Sequence, residues 1–135
     1  MNSANGVAGA STGWSFISAA TISLENVGPG SILVDLTSLT LGNSAGQVSD
    51  FDPTRVYNWI FAQAGSITGF SAGLFTVDTQ DFGNAFDGTF GVDVENGGTT
   101  LNLTYQPVPE PSTVAMGLLG GFAFLSYFLF RRNRE

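Results

Sequence analysis

The chain has 135 residues, a formal net charge of −7, and no histidine, cysteine or lysine. Without histidine or cysteine, the common Ser-His-Asp and Cys-His catalytic arrangements cannot be built, and zinc lacks its preferred ligands. Nucleic acid is excluded as a partner, because too few basic side chains are present to neutralise phosphates. The composition therefore predicts no cofactor and no metal site.

The first residues lack the pattern of a secretion signal. Residues 1–6 contain no basic residue, and small or polar residues interrupt the apolar ones between Val7 and Ala20. A signal peptide needs a basic start and a continuous apolar segment. We therefore expect that Met1 is not the true start, and that residues 1–106 are the C-terminal fragment of a longer protein.

Residues 1–106 are predicted to form an acidic, exported β-rich domain. Ala20–Glu25 and Ser31–Leu36 are predicted to pair around a turn rich in glycine and proline. Val56–Phe61 is a run of β-branched and aromatic residues that places Tyr57, Trp59 and Phe61 on one face of a strand. A shorter strand is predicted at Leu74–Val77.

A β-hairpin is predicted near the end of this domain. Apolar and polar residues alternate in Thr89–Glu95 and again in Thr99–Tyr105. Asn96-Gly97-Gly98 lies between them and accepts positive φ angles. The predicted fold class is therefore all-β, with short antiparallel strands arranged as a sandwich or as the cap of a β-solenoid.

Carboxylates are the remaining candidates for chemistry. Asp50 and Asp52 flank Phe51, and Asp78, Asp81 and Asp87 follow in a loop-rich stretch. Such pairs serve as acid and base in sugar hydrolysis or as calcium ligands. Spaced acidic residues on β-turns are more often solvated turn formers, so we predict no catalytic residue and no enzyme activity.

The C-terminal region, residues 107–135, has three unlike parts in order. Residues 107–113 contain Pro109 and Pro111, which keep the chain extended and present Glu110 between them. Residues 114–130 are uncharged; as a helix they would extend about 26 Å, close to the roughly 30 Å of a bilayer core. This predicts a transmembrane α-helix after the β domain.

Orientation is predicted from the charges on either side of this segment. Residues 131–135 carry Arg131, Arg132 and Arg134, whereas the chain before the segment has one basic and ten acidic residues. Arginines close to a membrane span stay in the cytoplasm. We therefore expect a single pass through the inner membrane, with the C-terminus inside and the acidic domain exported.

This tail resembles the PEP-CTERM sorting signal of Gram-negative bacteria. The matching residues are Val108, Pro109, Glu110, Pro111, Ser112 and Thr113, followed by the glycine-bearing apolar segment and the arginine cluster. The resemblance implies processing near the motif by an exosortase, a membrane-embedded enzyme, with inner-membrane lipid as a partner before cleavage. It also implies delivery to the cell surface or an extracellular matrix, with exopolysaccharide as a further partner.

A similar tail gives its name to the "ice-binding protein C-terminal domain" family, which by itself says nothing about binding ice. Upstream, aromatic and glycine placement from Trp59 to Tyr105 loosely resembles the C-terminal region of autotransporter-like β-repeat proteins. That second resemblance implies a capping β-module and transfers no functional residue.

Three functions are open for the exported domain. The first is a non-catalytic surface or matrix protein. The second is a carbohydrate- or ice-binding module, which exposed Trp14, Tyr57 or Trp59, or a regular Thr-x-Thr row, would favour. The third is a glycoside hydrolase fragment, which a carboxylate pair facing a cleft would favour. The first is our prediction.

Overall fold

The computed structural model describes residues 1–109, which form two β-sheets. The strands are β1 (Ile17–Ser23), β2 (Ile32–Asp35), β3 (Tyr57–Thr68), β4 (Phe75–Asp78), β5 (Thr89–Glu95) and β6 (Thr100–Gln106), with one turn of 3-10 helix at Ala72–Leu74. A four-stranded sheet has the order β1-β3-β6-β5, and β2 pairs with β4 in a second, smaller sheet.

The predicted hairpin is confirmed. β5 and β6 pair antiparallel from Thr89 opposite Gln106 to Glu95 opposite Thr100. The turn between them has positive φ at Asn96, Gly97 and Gly98, as the turn residues predicted. β6 also pairs antiparallel with β3, so the hairpin's second strand lies in the middle of the sheet.

The predicted pairing of the two N-terminal strands is wrong. Both strands exist, but β1 pairs in parallel with β3, from Ile17 opposite Ala62 to Ser23 opposite Thr68. β2 likewise pairs in parallel with β4. Parallel neighbours need long crossover connections, so the chain between β1 and β2 changes sheets instead of turning back. The four-stranded sheet is therefore mixed and the two-stranded sheet is parallel, so the strands are not purely antiparallel.

One hydrophobic core lies between the sheets. Tyr57 and Trp59 are buried on β3 and face Leu103 and Tyr105 of β6, in agreement with the predicted alternation. The opposite side of the core is formed by the smaller sheet and by the long loops. Its residues packed into or against the core are Val34, Leu36, Val48, Phe51, Val77, Phe82 and Phe86. Contacts between the rings, such as the stacked pair Tyr57 and Trp59 with centroids 4.9 Å apart, add to the stabilisation from buried area.

The predicted fold class, an all-β domain followed by a transmembrane helix, is corrected to all-β. Over residues 1–109 the fold consists of strands and one three-residue 3-10 helix. No helix within this part of the chain is long and apolar enough to cross a membrane. The segment for which the span was predicted, residues 114–130, lies outside the described residues.

Candidate functional site

The predicted sorting region begins directly after β6, one of the two central strands of the larger sheet. β6 ends at Gln106, and Pro107, Val108 and Pro109 follow without regular secondary structure. Val108 is 54% exposed although it is apolar. Proline cannot continue the hydrogen-bond ladder, so the two prolines end the strand and direct the chain away from the sheet.

The chain exit lies beside a fixed part of the domain. Pro107, Val108 and Pro109 line a cleft of about 410 Å³ together with Pro53, Thr54 and Asp87. The fully buried Tyr105 holds this region in place: its hydroxyl donates to the Pro53 carbonyl at 2.9 Å and accepts from the Gly88 amide at 3.2 Å. The exposed linker thus starts from a rigid point on the domain.

Of the predicted sorting residues, only the first two are described. Val108 and Pro109 are exposed. Glu110, Pro111, Ser112 and Thr113 lie outside the described residues, and so do Arg131, Arg132 and Arg134.

Asp50, a candidate acid or base in the sequence, is a structural hydrogen-bond acceptor. Its carboxylate accepts hydrogen bonds from the Ser3 hydroxyl, from the Ala4 and Asn5 amides, and from the Asn5 side chain. Partial burial by itself raises the pKa of Asp50, but these hydrogen bonds outweigh it and hold the pKa below its usual value. The side chain ties the N-terminal segment to the loop before β3.

Two of the other candidate carboxylates, those of Asp52 and Asp78, also accept hydrogen bonds within turns. The Asp52 carboxylate accepts from the Thr54 amide and hydroxyl, and these bonds lower the pKa of Asp52. Asp78 accepts from the amide of Gln80 two residues later. Within residues 1–109, no group of three or more acidic side chains could hold a metal ion. A general acid needs a raised pKa, so the lowered values at Asp50 and Asp52 do not suit that role.

The structure reveals a cavity that sequence reasoning missed. It has a volume of about 340 Å³, and Trp14, Trp59 and Phe61 are among its apolar lining residues. Asp35 and Thr37 supply polar atoms, and the Thr37 hydroxyl donates to the Asp35 carboxylate at 3.1 Å. The sequence could not have shown this cavity, because its walls come from β1, β2, β3 and β6.

The tryptophan and tyrosine side chains considered for sugar stacking differ in accessibility. Tyr57 and Trp59 are buried in the core, and the Trp59 indole N–H donates to the Ala4 carbonyl at 2.8 Å. Trp14 is only half-buried, and its indole N–H donates to the Ile60 carbonyl at 2.7 Å. That hydrogen bond fixes the ring of Trp14 at the cavity.

Comparison with known proteins gives one finding. Residues 107–134 match the family model of the PEP-CTERM protein-sorting motif. No curated protein and no solved structure matches the chain. The chain thus carries, directly after its β domain, a PEP-CTERM protein-sorting motif, the signal of exported proteins that an exosortase processes.

Proposed function

We propose that the β domain is a non-catalytic surface or matrix protein, which the exosortase releases from its tail by cutting in residues 108–113. The observation that carries this proposal is the sorting motif beginning at residue 107, one residue after β6 ends. A cut in the exposed linker would leave all six strands and the core on the exported side. Pro109, Glu110 and Pro111 are the residues proposed for recognition.

The absence of catalysis is proposed from the roles of the acidic residues. Asp50, Asp52 and Asp78 each accept hydrogen bonds from nearby backbone amides. A hydrolase of sugars needs two carboxyl groups facing one cleft at a set separation. The Asp50 carboxylate binds the N-terminal segment, whereas Asp52 and Asp78 each bind the backbone two residues later, so each stabilises a different part of the backbone.

The test is mass spectrometry of the protein isolated from its native host, with and without the exosortase. We expect a C-terminus within residues 108–113 only when the exosortase is present. Glu110→Ala should abolish this processing, whereas Glu25→Ala, which changes an exposed glutamate on the domain, should leave it intact. An unprocessed tail in both strains would refute the proposal.

We propose saccharide binding at the aromatic cavity as a second candidate function of the domain. The cavity volume, about 340 Å³, is in the range of small-molecule sites. Aromatic walls suit the apolar faces of sugar rings, and Asp35 and Thr37 offer hydrogen-bonding groups for hydroxyls. Ice binding has less support, because the exposed residues of β3 and β5 include Asn58, Asp93 and Glu95, not a row of threonines.

This second candidate is tested by titrating a panel of neutral and acidic oligosaccharides while following tryptophan fluorescence. Trp14 lines the cavity and is half-buried, so a bound sugar should change its emission. Asp35→Asn should weaken binding about tenfold, the effect of roughly one charged hydrogen bond. Asp93→Asn, on β5, is the control and should bind as the unchanged protein does. No saturable change with any sugar would exclude the site.

A further inference from the structure

The outer edge of β1 is unpaired within the described residues. β1 is at one end of the four-stranded sheet and pairs only with β3 within residues 1–109. The Leu24 amide donates to the carbonyl of Thr68, the last residue of β3. The Ala20 carbonyl also points toward β3, where a Cβ on Gly65 would lie 2.8 Å from it. By alternation along the strand, Ile17, Ala19, Thr21 and Ser23 direct their backbone N–H and C=O groups to the free edge.

The other strand edges carry negative charge, and this one does not. β5, at the opposite end of the sheet, exposes Asp93 and Glu95. β2 and β4 end in Asp35 and Asp78. β1 has the sequence ISAATIS, in which five of seven residues are exposed and none is charged or proline. Proteins commonly protect an edge with charge, proline or a bulge to prevent pairing with another chain; β1 has no such protection.

We propose that β1 pairs with β1 of a second copy of this chain, antiparallel and centred on Ala20. Centring on Ala20 overlaps the whole strand and brings Ala19 opposite Thr21 of the partner in hydrogen-bonded pairs. Ala20 then faces its symmetry mate in a non-hydrogen-bonded pair, where Cα atoms lie about 4.5 Å apart. The side chains at the centre of this pairing are small, and none along the strand is charged, so the two strands can approach without charge repulsion.

The sequence of β1 favours a second copy of the chain as the occupant, because antiparallel pairing of this strand with itself places no charge opposite another. The described domain is strongly acidic, with Arg55 as its only basic residue in the first 109 residues, so two copies repel each other over most of their surfaces. The neutral edge of β1 is where two copies can meet with the least repulsion. In the resulting continuous sheet both outer ends would be β5, whose acidic residues oppose further growth. The contact is self-complementary and closes as a two-fold dimer.

The test uses single-cysteine variants of the full chain, which has no cysteine of its own. Ala20→Cys should form a disulfide-linked dimer under mild oxidation, because the paired Cα separation suits a disulfide. Ser18→Cys is the matched control on the same exposed strand: in this register two copies of residue 18 are about 14 Å apart, so it should stay monomeric on a non-reducing gel. Asp93→Cys on β5 should also stay monomeric.

A second measurement does not depend on cysteine. Sedimentation velocity of the full chain in a non-ionic detergent should give a dimer for the unchanged protein and a monomer for Ala20→Lys, which places two like charges opposite each other. Tryptophan fluorescence checks that the variant is folded. Equal cross-linking of Ser18→Cys and Ala20→Cys, or an unchanged mass for folded Ala20→Lys, would overturn the proposal.

Discussion

At the scale of single residues, several side chains that the sequence marks as candidates for chemistry instead hold loops together. Asp50 is the clearest case, because it joins the segment at Ser3–Asn5 to the loop before β3. The sequence could identify Asp50 and Asp52 as a spaced carboxylate pair. It could not reveal the hydrogen-bond partners of Asp50, since these lie more than forty residues away in the chain.

Asp50→Asn should destabilise the domain and reduce its sensitivity to acid. The pKa of Asp50 is lowered in the folded state, so its contribution is present above the unfolded value of about 3.9 and is lost as pH falls through the folded value. At pH 7 we expect a loss of about 1 kcal/mol, since the hydrogen bonds are partly solvated. Urea unfolding followed by tryptophan fluorescence at pH 7 and pH 3 measures both effects.

The control for this experiment is Asp93→Asn, an exposed carboxylate on β5 for which the structure gives no hydrogen bond of this kind. It should change the free energy of unfolding by less than about 0.5 kcal/mol at either pH. If Asp50→Asn lost as much stability between pH 7 and pH 3 as the unchanged protein, the carboxylate would not be responsible for the acid sensitivity.

At the scale of strands and turns, local pairings could be predicted and distant ones could not. The β5–β6 hairpin follows from alternation and from turn residues within one short stretch. The parallel pairing of β1 with β3 joins residues about 45 positions apart, and no local pattern encodes such a partner. A turn of glycine and proline between β1 and β2 indicated a hairpin, yet packing placed the two strands in different sheets.

Gly98→Ala should weaken the hairpin that supplies the central strand. Gly98 has φ +85°, a conformation that side chains with a Cβ rarely adopt. We expect a loss of about 1–2 kcal/mol in the free energy of unfolding. Gly73→Ala is the matched control: Gly73 is exposed, and the nearest atom to its added Cβ lies 3.9 Å away. Urea unfolding compares the two variants, and equal midpoints would show that the turn does not limit stability.

At the scale of the whole molecule, the sorting motif and the domain are encoded in different ways. The motif is a linear sequence, so Val108–Thr113 and the arginines could be read directly, and the family match covers them. The cavity at Trp14 and the free edge of β1 arise only when distant segments meet. The sorting motif was therefore predictable from the sequence, while the cavity and the free strand edge were not.

The β domain should stay folded without its tail. The core uses residues between Ala4 and Tyr105, and β6 is held on both sides by β3 and β5. We insert a recognition site for a specific protease between Gln106 and Pro107 of the full chain. Cleavage there should shift the free energy of unfolding of the β domain by less than about 0.5 kcal/mol, as measured by urea unfolding with tryptophan fluorescence.

The matched control inserts the same site in the β5–β6 turn, between Asn96 and Gly97. A cut there breaks the covalent connection between β5 and β6. Pairing the two strands then costs more entropy, because the turn no longer holds them close together. Its unfolding midpoint should therefore fall after cleavage, whereas the cut at Pro107 leaves the midpoint unchanged. Both reporting tryptophans, Trp14 and Trp59, are in the domain, so the signal follows the domain alone. A large loss of stability after the cut at Pro107 would mean that the domain needs its tail to stay folded, and cleavage by an exosortase could not then release a stable protein.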